Sequence, residues 1–149
     1  MKAIILATAV TAVALSGCAT VTRGTKEVWF ADSIPTDAKL TTDHGYQCKT
    51  PCYLKLPRKN PFQVTITKEG YKDFQTRVSN SISGAGGAAL AGNVLVGGLI
   101  GVGVDAVSGA SLNLNPNPLY VILAPVGSAD DSHIDDKAPT AVPKQPKPR

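Results

Sequence analysis

Phe62, Val64 and Ile66 alternate with Gln63, Thr65 and Thr67, and this period of two is the clearest mark of a half-buried β-strand in the chain. Other segments share the texture. Val28-Trp29-Phe30-Ala31 is a compact apolar and aromatic run that Asp32, Ser33 and Pro35 bring to an end. Ala38 to Thr42 alternates small or apolar with polar residues before a turn at Asp43-His44-Gly45. Cys52 to Leu56 is a further short strand, closed by Pro57 to Pro61. After a turn at Glu69-Gly70-Tyr71 the chain goes back through Asp73 to Val78, and Leu119 to Leu123 is a late, strongly β run. Short strands with turn signals every roughly 8–12 residues predict a mainly β chain, folded as a small antiparallel β-sandwich over residues 27–125.

One segment breaks this rhythm. From Gly84 to Val104 there are 21 residues without a charge: eight Gly, four Ala, one Asn and eight large apolar side chains. As a helix it is about 31 Å long, the thickness of a bilayer core, yet glycine supplies little apolar surface to drive insertion. Gly84, Ala88 and Gly92, then Gly97 and Gly101, fall at the spacing that lets helix backbones approach closely. The segment resembles the glycine-zipper stretches of envelope lipoproteins. Three readings stay open for an insertion at 84–111: a helix or helical hairpin packed on the sandwich or on other copies, insertion into a membrane, or a Gly-rich loop. Gly101-Val102-Gly103-Val104-Asp105-Ala106 fits a dinucleotide fingerprint only in letters, since no strand–turn–helix texture surrounds it.

Beyond Pro125 the composition shifts. Residues 127–136 are polar and acidic, and residues 137–149 are Pro-rich and carry Lys137, Lys144, Lys147 and Arg149. Such a stretch cannot bury enough surface to fold alone, so residues 126–149 are predicted to be a disordered tail. It is either solvated or a basic arm that reaches anionic envelope polymers.

The N-terminus sets the compartment. Met1-Lys2 precedes an uncharged run from Ala3 to Leu15, the n-region and h-region of a secretory signal, and the run is too short to span a bilayer. Leu15-Ser16-Gly17-Cys18 resembles the lipobox of bacterial lipoproteins. That resemblance implies removal of residues 1–17, acylation of Cys18, and a tether at 18–26. With Ala19 and Thr20 next, it also implies sorting to the outer membrane. Two or more acyl chains make a stable anchor, each buried methylene contributing about 0.8 kcal/mol. Arg23 and Lys26 can then reach headgroup phosphates.

The formal net charge of +4 is mildly basic, and a location outside the cytoplasm excludes nucleic acid more firmly than that charge invites it. The same location decides the remaining cysteines. Cys48 and Cys52 form an even pair in an oxidising compartment and read as a disulfide, with Pro51 turning the chain between them. The rival is a metal site with His44 as third ligand; it lacks a fourth ligand and needs free thiolates. His44 and His133 have no nucleophile arranged beside them, so neither a catalytic constellation nor a cofactor site is predicted, and the chain is read as no enzyme. Trp29, Tyr53, Tyr71 and Tyr120 are either a carbohydrate-stacking surface or sheet packing.

Ile34-Pro35, Ala38, Gly45, Thr50-Pro51, Leu54, Leu56, Val64, Ile66, Lys68 and Glu69-Gly70-Tyr71 together resemble the PEGA-type domain of bacterial surface and envelope proteins, over roughly residues 28–78. The eponymous Pro-Glu-Gly-Ala is here Pro35-Thr36-Asp37-Ala38. The resemblance implies a β-sandwich and a non-catalytic role. The expectation is therefore a lipid-anchored structural or interaction module that associates through Gly84, Ala88, Gly92, Gly97 and Gly101. The alternatives are binding of peptidoglycan or another glycan, and service as an accessory lipoprotein of a secretion or pilus assembly.

Overall fold

The structure is a computed structural model and describes residues 23–82 and 109–145. These form nine strands: β1 (Lys26–Ile34), β2 (Lys39–Thr42), β3 (Gln47–Lys49), β4 (Cys52–Pro57), β5 (Phe62–Thr67), β6 (Phe74–Ile82), β7 (Leu112–Asn115), β8 (Leu119–Ile122) and β9 (His133–Ile134). They make two sheets, a four-stranded one in the order β4-β1-β8-β9 and a five-stranded one in the order β3-β2-β5-β6-β7. The mainly β expectation therefore holds. Cys18 and the small residues Gly84, Ala88, Gly92, Gly97 and Gly101 lie outside the described residues, as does most of the insertion at 84–111. Among the described residues no helix is long and apolar enough to cross a membrane.

The described chain divides into two compact units. The larger comprises Glu27–Leu56, Asn60–Asn80 and the residues from Leu114 onward. Period-two alternation builds its core. On β5, Phe62, Val64 and Ile66 are buried between exposed or half-exposed Gln63, Thr65 and Thr67, as the sequence pattern requires. The antiparallel register sets Phe62 opposite Val78 and Ile66 opposite Phe74 on β6, and Leu40 of β2 opposite Ile66 on the other side. Trp29, Ala31, Leu56, Leu119 and Val121 of the first sheet join the same cluster. Trp29 meets Phe62 edge to face at 5.3 Å, a favoured aromatic geometry, so the inward faces of both sheets share one core. The indole N–H of Trp29 donates to the Pro116 carbonyl at 2.8 Å, which leaves this buried donor satisfied.

Thr50 explains why a Thr-Pro pair follows the β2–β3 hairpin. It is buried, and its hydroxyl oxygen accepts the Ala38 N–H at 3.1 Å. Ser33, also buried, donates its hydroxyl to the Pro35 carbonyl at 2.8 Å and lies 2.6 Å from the Thr50 hydroxyl. One proton per hydroxyl fixes the direction: Thr50 donates to Ser33, and Ser33 donates onward. The Gly-Tyr signature has an equally local cause. Tyr71 N–H donates to the Lys68 carbonyl at 3.0 Å across a tight turn whose third residue, Gly70, has φ +82°, a conformation glycine adopts without steric cost.

Three expectations fail here. The run from Val28 does not end at Asp32; β1 continues through Asp32 and Ser33 to Ile34 because a partner strand is present beside it. That partner, β8, pairs with β1 in parallel, with Ala31 opposite Leu119 and Ile34 opposite Ile122, so the fold is not wholly antiparallel. The tail expected to be disordered from residue 126 instead returns to the sheet. Val126 N–H donates to the Gly70 carbonyl at 2.9 Å, Ser132 hydroxyl to the Lys72 carbonyl at 2.9 Å, and β9 pairs antiparallel with β8 through Val121 opposite Ile134. A low apolar content forbids independent folding, but the open edge of β8 supplies backbone partners that composition does not register.

The smaller unit, as described, comprises residues 23–26, 57–59, 81–82 and 109–113. Arg23, read from sequence as a headgroup contact, is half-buried and donates to the Ala110 carbonyl at 3.2 Å and the Asn113 side-chain oxygen at 2.5 Å. Arg58 donates to the same oxygen at 3.1 Å and to the Leu112 carbonyl at 3.0 Å. Gly109 lies so close to Lys59 that a Cβ there would stand 2.6 Å from the lysine Cβ.

Candidate interaction face

Alternation along a strand sends every second side chain away from the core, and in the β4-β1-β8-β9 sheet that second set is unusually aromatic. Trp29, Ala31 and Ser33 of β1 point inward and are buried, so Phe30, Asp32 and Ile34 lie on the outer face. Leu119 and Val121 of β8 are inward, which sets Tyr120 and Ile122 outward. On β4 the inward residue Leu56 fixes Tyr53 and Lys55 as outward. Phe30 occupies the centre. Its ring lies 4.7 Å from that of Tyr53 on one side and 5.7 Å from that of Tyr120 on the other, tilted by 49° and 62°. These flanking rings reduce its exposure to 4% although it faces away from the core.

The backbone beneath this cluster is held by side chains as well as by the ladder. The Asn117 amide accepts the Phe30 N–H at 3.1 Å and donates to the Val28 carbonyl at 3.1 Å, so one side chain supplies two rungs ahead of β8. The Glu27 carboxylate accepts the Leu114 N–H. Asp32 stands opposite Tyr120 in the register. Burial pushes the Tyr120 phenol above its ordinary value, and the neighbouring Asp32 carboxylate and Tyr53 push it the same way. Tyr120 is therefore a neutral hydroxyl at any ordinary pH.

A cleft of 340 Å³ opens beside Tyr120. One wall is the outer face itself, with Asp32, Ile34 and Ile122; the other is the chain after β9, with Lys137 and Pro139. Ile34, the last residue of β1, borders this cleft and is 64% exposed. The chain that forms the second wall runs on to β4, where the Tyr53 hydroxyl donates to the Lys144 carbonyl at 3.3 Å.

The sequence-predicted residues are distributed unevenly around this site. Cys48 and Cys52 are joined in a disulfide, with Cα atoms 6.3 Å apart. His44 is exposed in its turn, 4.0 Å from the Asp43 carboxylate, and both cysteine thiols are consumed by the bond, so the three do not form a metal set. Among the described residues no group of three or more His, Cys, Asp or Glu converges. Of the four aromatic residues singled out, Tyr53 and Tyr120 share the outer face. Trp29 is in the core, and Tyr71 packs against the core where it bridges to Pro125. Phe30, the hub, was missed. The signal was present: adjacent residues on a strand face opposite ways, so Trp29 and Phe30 cannot both be core.

Comparison with known families places part of the chain. Residues 29–81 match the PEGA domain model, so a PEGA domain occupies that stretch. No curated protein and no solved structure matches the chain.

Proposed function

We propose that this chain is an outer-membrane lipoprotein, anchored through acylated Cys18, whose β domain acts as a structural and interaction module of the cell envelope and catalyses no reaction. The observation that carries the reading is the double-sided use of the β4-β1-β8-β9 sheet. One face is spent on the core, while the other gathers Phe30, Tyr53 and Tyr120 beside an open cleft. The PEGA domain at residues 29–81 supports a β module, and the lipobox-like Leu15-Ser16-Gly17-Cys18 supports the anchor. Self-association through Gly84, Ala88, Gly92, Gly97 and Gly101 belongs to the same reading.

The anchor is tested by radiolabelled palmitate and membrane fractionation, with Cys18→Ala as control. Label in the membrane fraction that Cys18→Ala abolishes is the expected result, and an acyl-free soluble protein overturns it. Crosslinked ladders lost on Gly97→Leu test the glycine contribution.

A second reading, peptidoglycan or glycan binding, is favoured by the half-exposed rings of Tyr53 and Tyr120, which present the flat apolar surface a sugar ring stacks on. Retention on purified sacculi that disappears with Tyr120→Ala selects it; retention unchanged by that substitution rules it out.

A further inference from the structure

The outer aromatic face already has an occupant, and its chemistry is on the page. After β9 the chain turns, with Lys137 N–H donating to the Asp135 side chain at 3.0 Å and Ala138 N–H to the Asp135 carbonyl at 3.3 Å. Lys137, Ala138 and Pro139 then border the cleft beside Tyr120, and Lys144 is tied to Tyr53 on the far strand of the sheet. From β9 to β4 there are three strand spacings, about 14 Å. The nine residue steps from Asp135 to Lys144 reach up to about 30 Å when extended, so the segment crosses the whole face with slack. It is a strap: Pro139-Thr140-Ala141-Val142-Pro143-Lys144, irregular, with bends at Thr140 and Ala141, proline-bearing and cationic, starting beside Tyr120 and ending at Tyr53. Extended proline-rich segments leave their carbonyls free to accept hydrogen bonds, and aromatic surfaces that donate to them are a recurring means of holding such peptides. The Tyr53–Lys144 bond is of this kind.

The strap is weakly retained. Residues 139–141 and 143–145 are exposed. The polar tie described beyond the turn at Ala138 is the single bond at 3.3 Å from Tyr53. Beneath it the cleft is only partly filled. A segment held this loosely, on a hinge at residues 135–138, can leave its own face and settle on an identical one.

We propose that the outer face of the β4-β1-β8-β9 sheet is a binding site for a proline-rich cationic segment, occupied in cis by residues 137–145, and that its partner in trans is the same segment of a second copy of this chain. Cis and trans contacts are chemically identical, so local concentration sets the balance: a tethered strap wins in dilute solution, and neighbours win when copies are crowded. This deepens the interaction-module reading by naming the partner of its outer face, and it rests on the part of that reading that makes the face a contact surface; it does not require the anchor.

Complementation between two full-length chains tests it, both carrying Cys18→Ala so that acyl groups play no part. One has a broken face, Tyr53→Ala with Tyr120→Ala, and its own tail. The other has an intact face, with residues 137–145 replaced by glycine and serine. In detergent at about 100 μM, analytical ultracentrifugation of the mixture is expected to show a one-to-one heterodimer that neither chain forms alone. A synthetic peptide of residues 137–149 should bind the tail-replaced chain at least tenfold more tightly than the native chain, whose own strap competes. Circular dichroism confirms that each chain is folded. No heterodimer and no peptide binding by the folded tail-replaced chain overturns the proposal. Equal association in each chain alone also overturns it and assigns self-association to the glycine segment, which both chains retain. Acylation of Cys18 is unaffected by either outcome, so failure here is distinct from failure of the anchor.

Discussion

The two faces of the β4-β1-β8-β9 sheet are cut from the same strands yet solve different problems. The inner face holds Trp29, Ala31, Ser33, Leu119 and Val121 in a core where the Trp29 indole and the Ser33 hydroxyl both have hydrogen-bond partners. The outer face holds Phe30, Ile34, Tyr53, Tyr120 and Ile122, covered by flanking rings and a loosely tied strap. Both faces carry large apolar side chains, but the outer one also carries Asp32 and Lys55 and is less completely covered. Close packing of the inner face commits those residues to stability, whereas incomplete cover on the outer face leaves them available for contact.

The largest test of this contrast is Trp29→Ala against Ile34→Ala in urea denaturation. The first is expected to cost about 3–5 kcal/mol, the scale of a large core truncation, and the second to stay within about 0.5 kcal/mol. Comparable losses at the two sites erase the distinction. Thr50→Val comes next, at up to about 3 kcal/mol, because it keeps the shape but strands the buried Ala38 N–H and takes the donor from Ser33. Replacing Cys48 and Cys52 together by Ser should lower stability by about 2 kcal/mol, the chain-entropy figure for so short a loop, and leave the outer face unaltered in its binding of the tail peptide. The smallest effect is a pH dependence confined to the outer face. The Tyr120 phenol is raised in the folded state, so its stabilisation is complete below the ordinary tyrosine value of 10.0 and is lost as pH rises through the higher folded value. Stability measured from pH 9 upward should fall, and Tyr120→Phe should shallow that fall.

Much of the inner architecture was legible in the chain. Alternation at Phe62, Val64 and Ile66 states which side of β5 is buried, the turn at Gly70 follows from local chemistry, and the pairing of Cys48 with Cys52 follows from an even cysteine pair in an oxidising compartment. What escaped was long-range. Nothing near Val28 announces that a strand beginning at Leu119 will lie beside it in parallel, so the sequence pattern ends β1 too early, at Asp32. Nothing within residues 126–134 reveals that an open edge on β8 awaits them, and Ile134 is the one apolar residue between Asp130 and Lys137. The aromatic face was half visible. Its composition points to Tyr53 and Tyr120 but groups Trp29 with them and leaves out Phe30, although opposite orientation of neighbours separates the two. Cys18 and the glycine spacing from Gly84 to Gly101 lie outside the described residues, and those readings stand as proposals.

The parallel pairing of β1 with β8 has a consequence for where the module begins and stops. The family match closes at residue 81, yet the strand that flanks β1 on its inner edge of the sheet comes from residues 119–122. A fragment trimmed to the matched stretch would strip β1 of one neighbour and bare a row of unanswered N–H and C=O groups along Ala31 to Ile34. A chain that emerges N-terminus first meets the same situation in passing, because β1 appears long before its companion. The nascent domain must wait, with a sticky seam, for some forty residues that similarity alone would have left out.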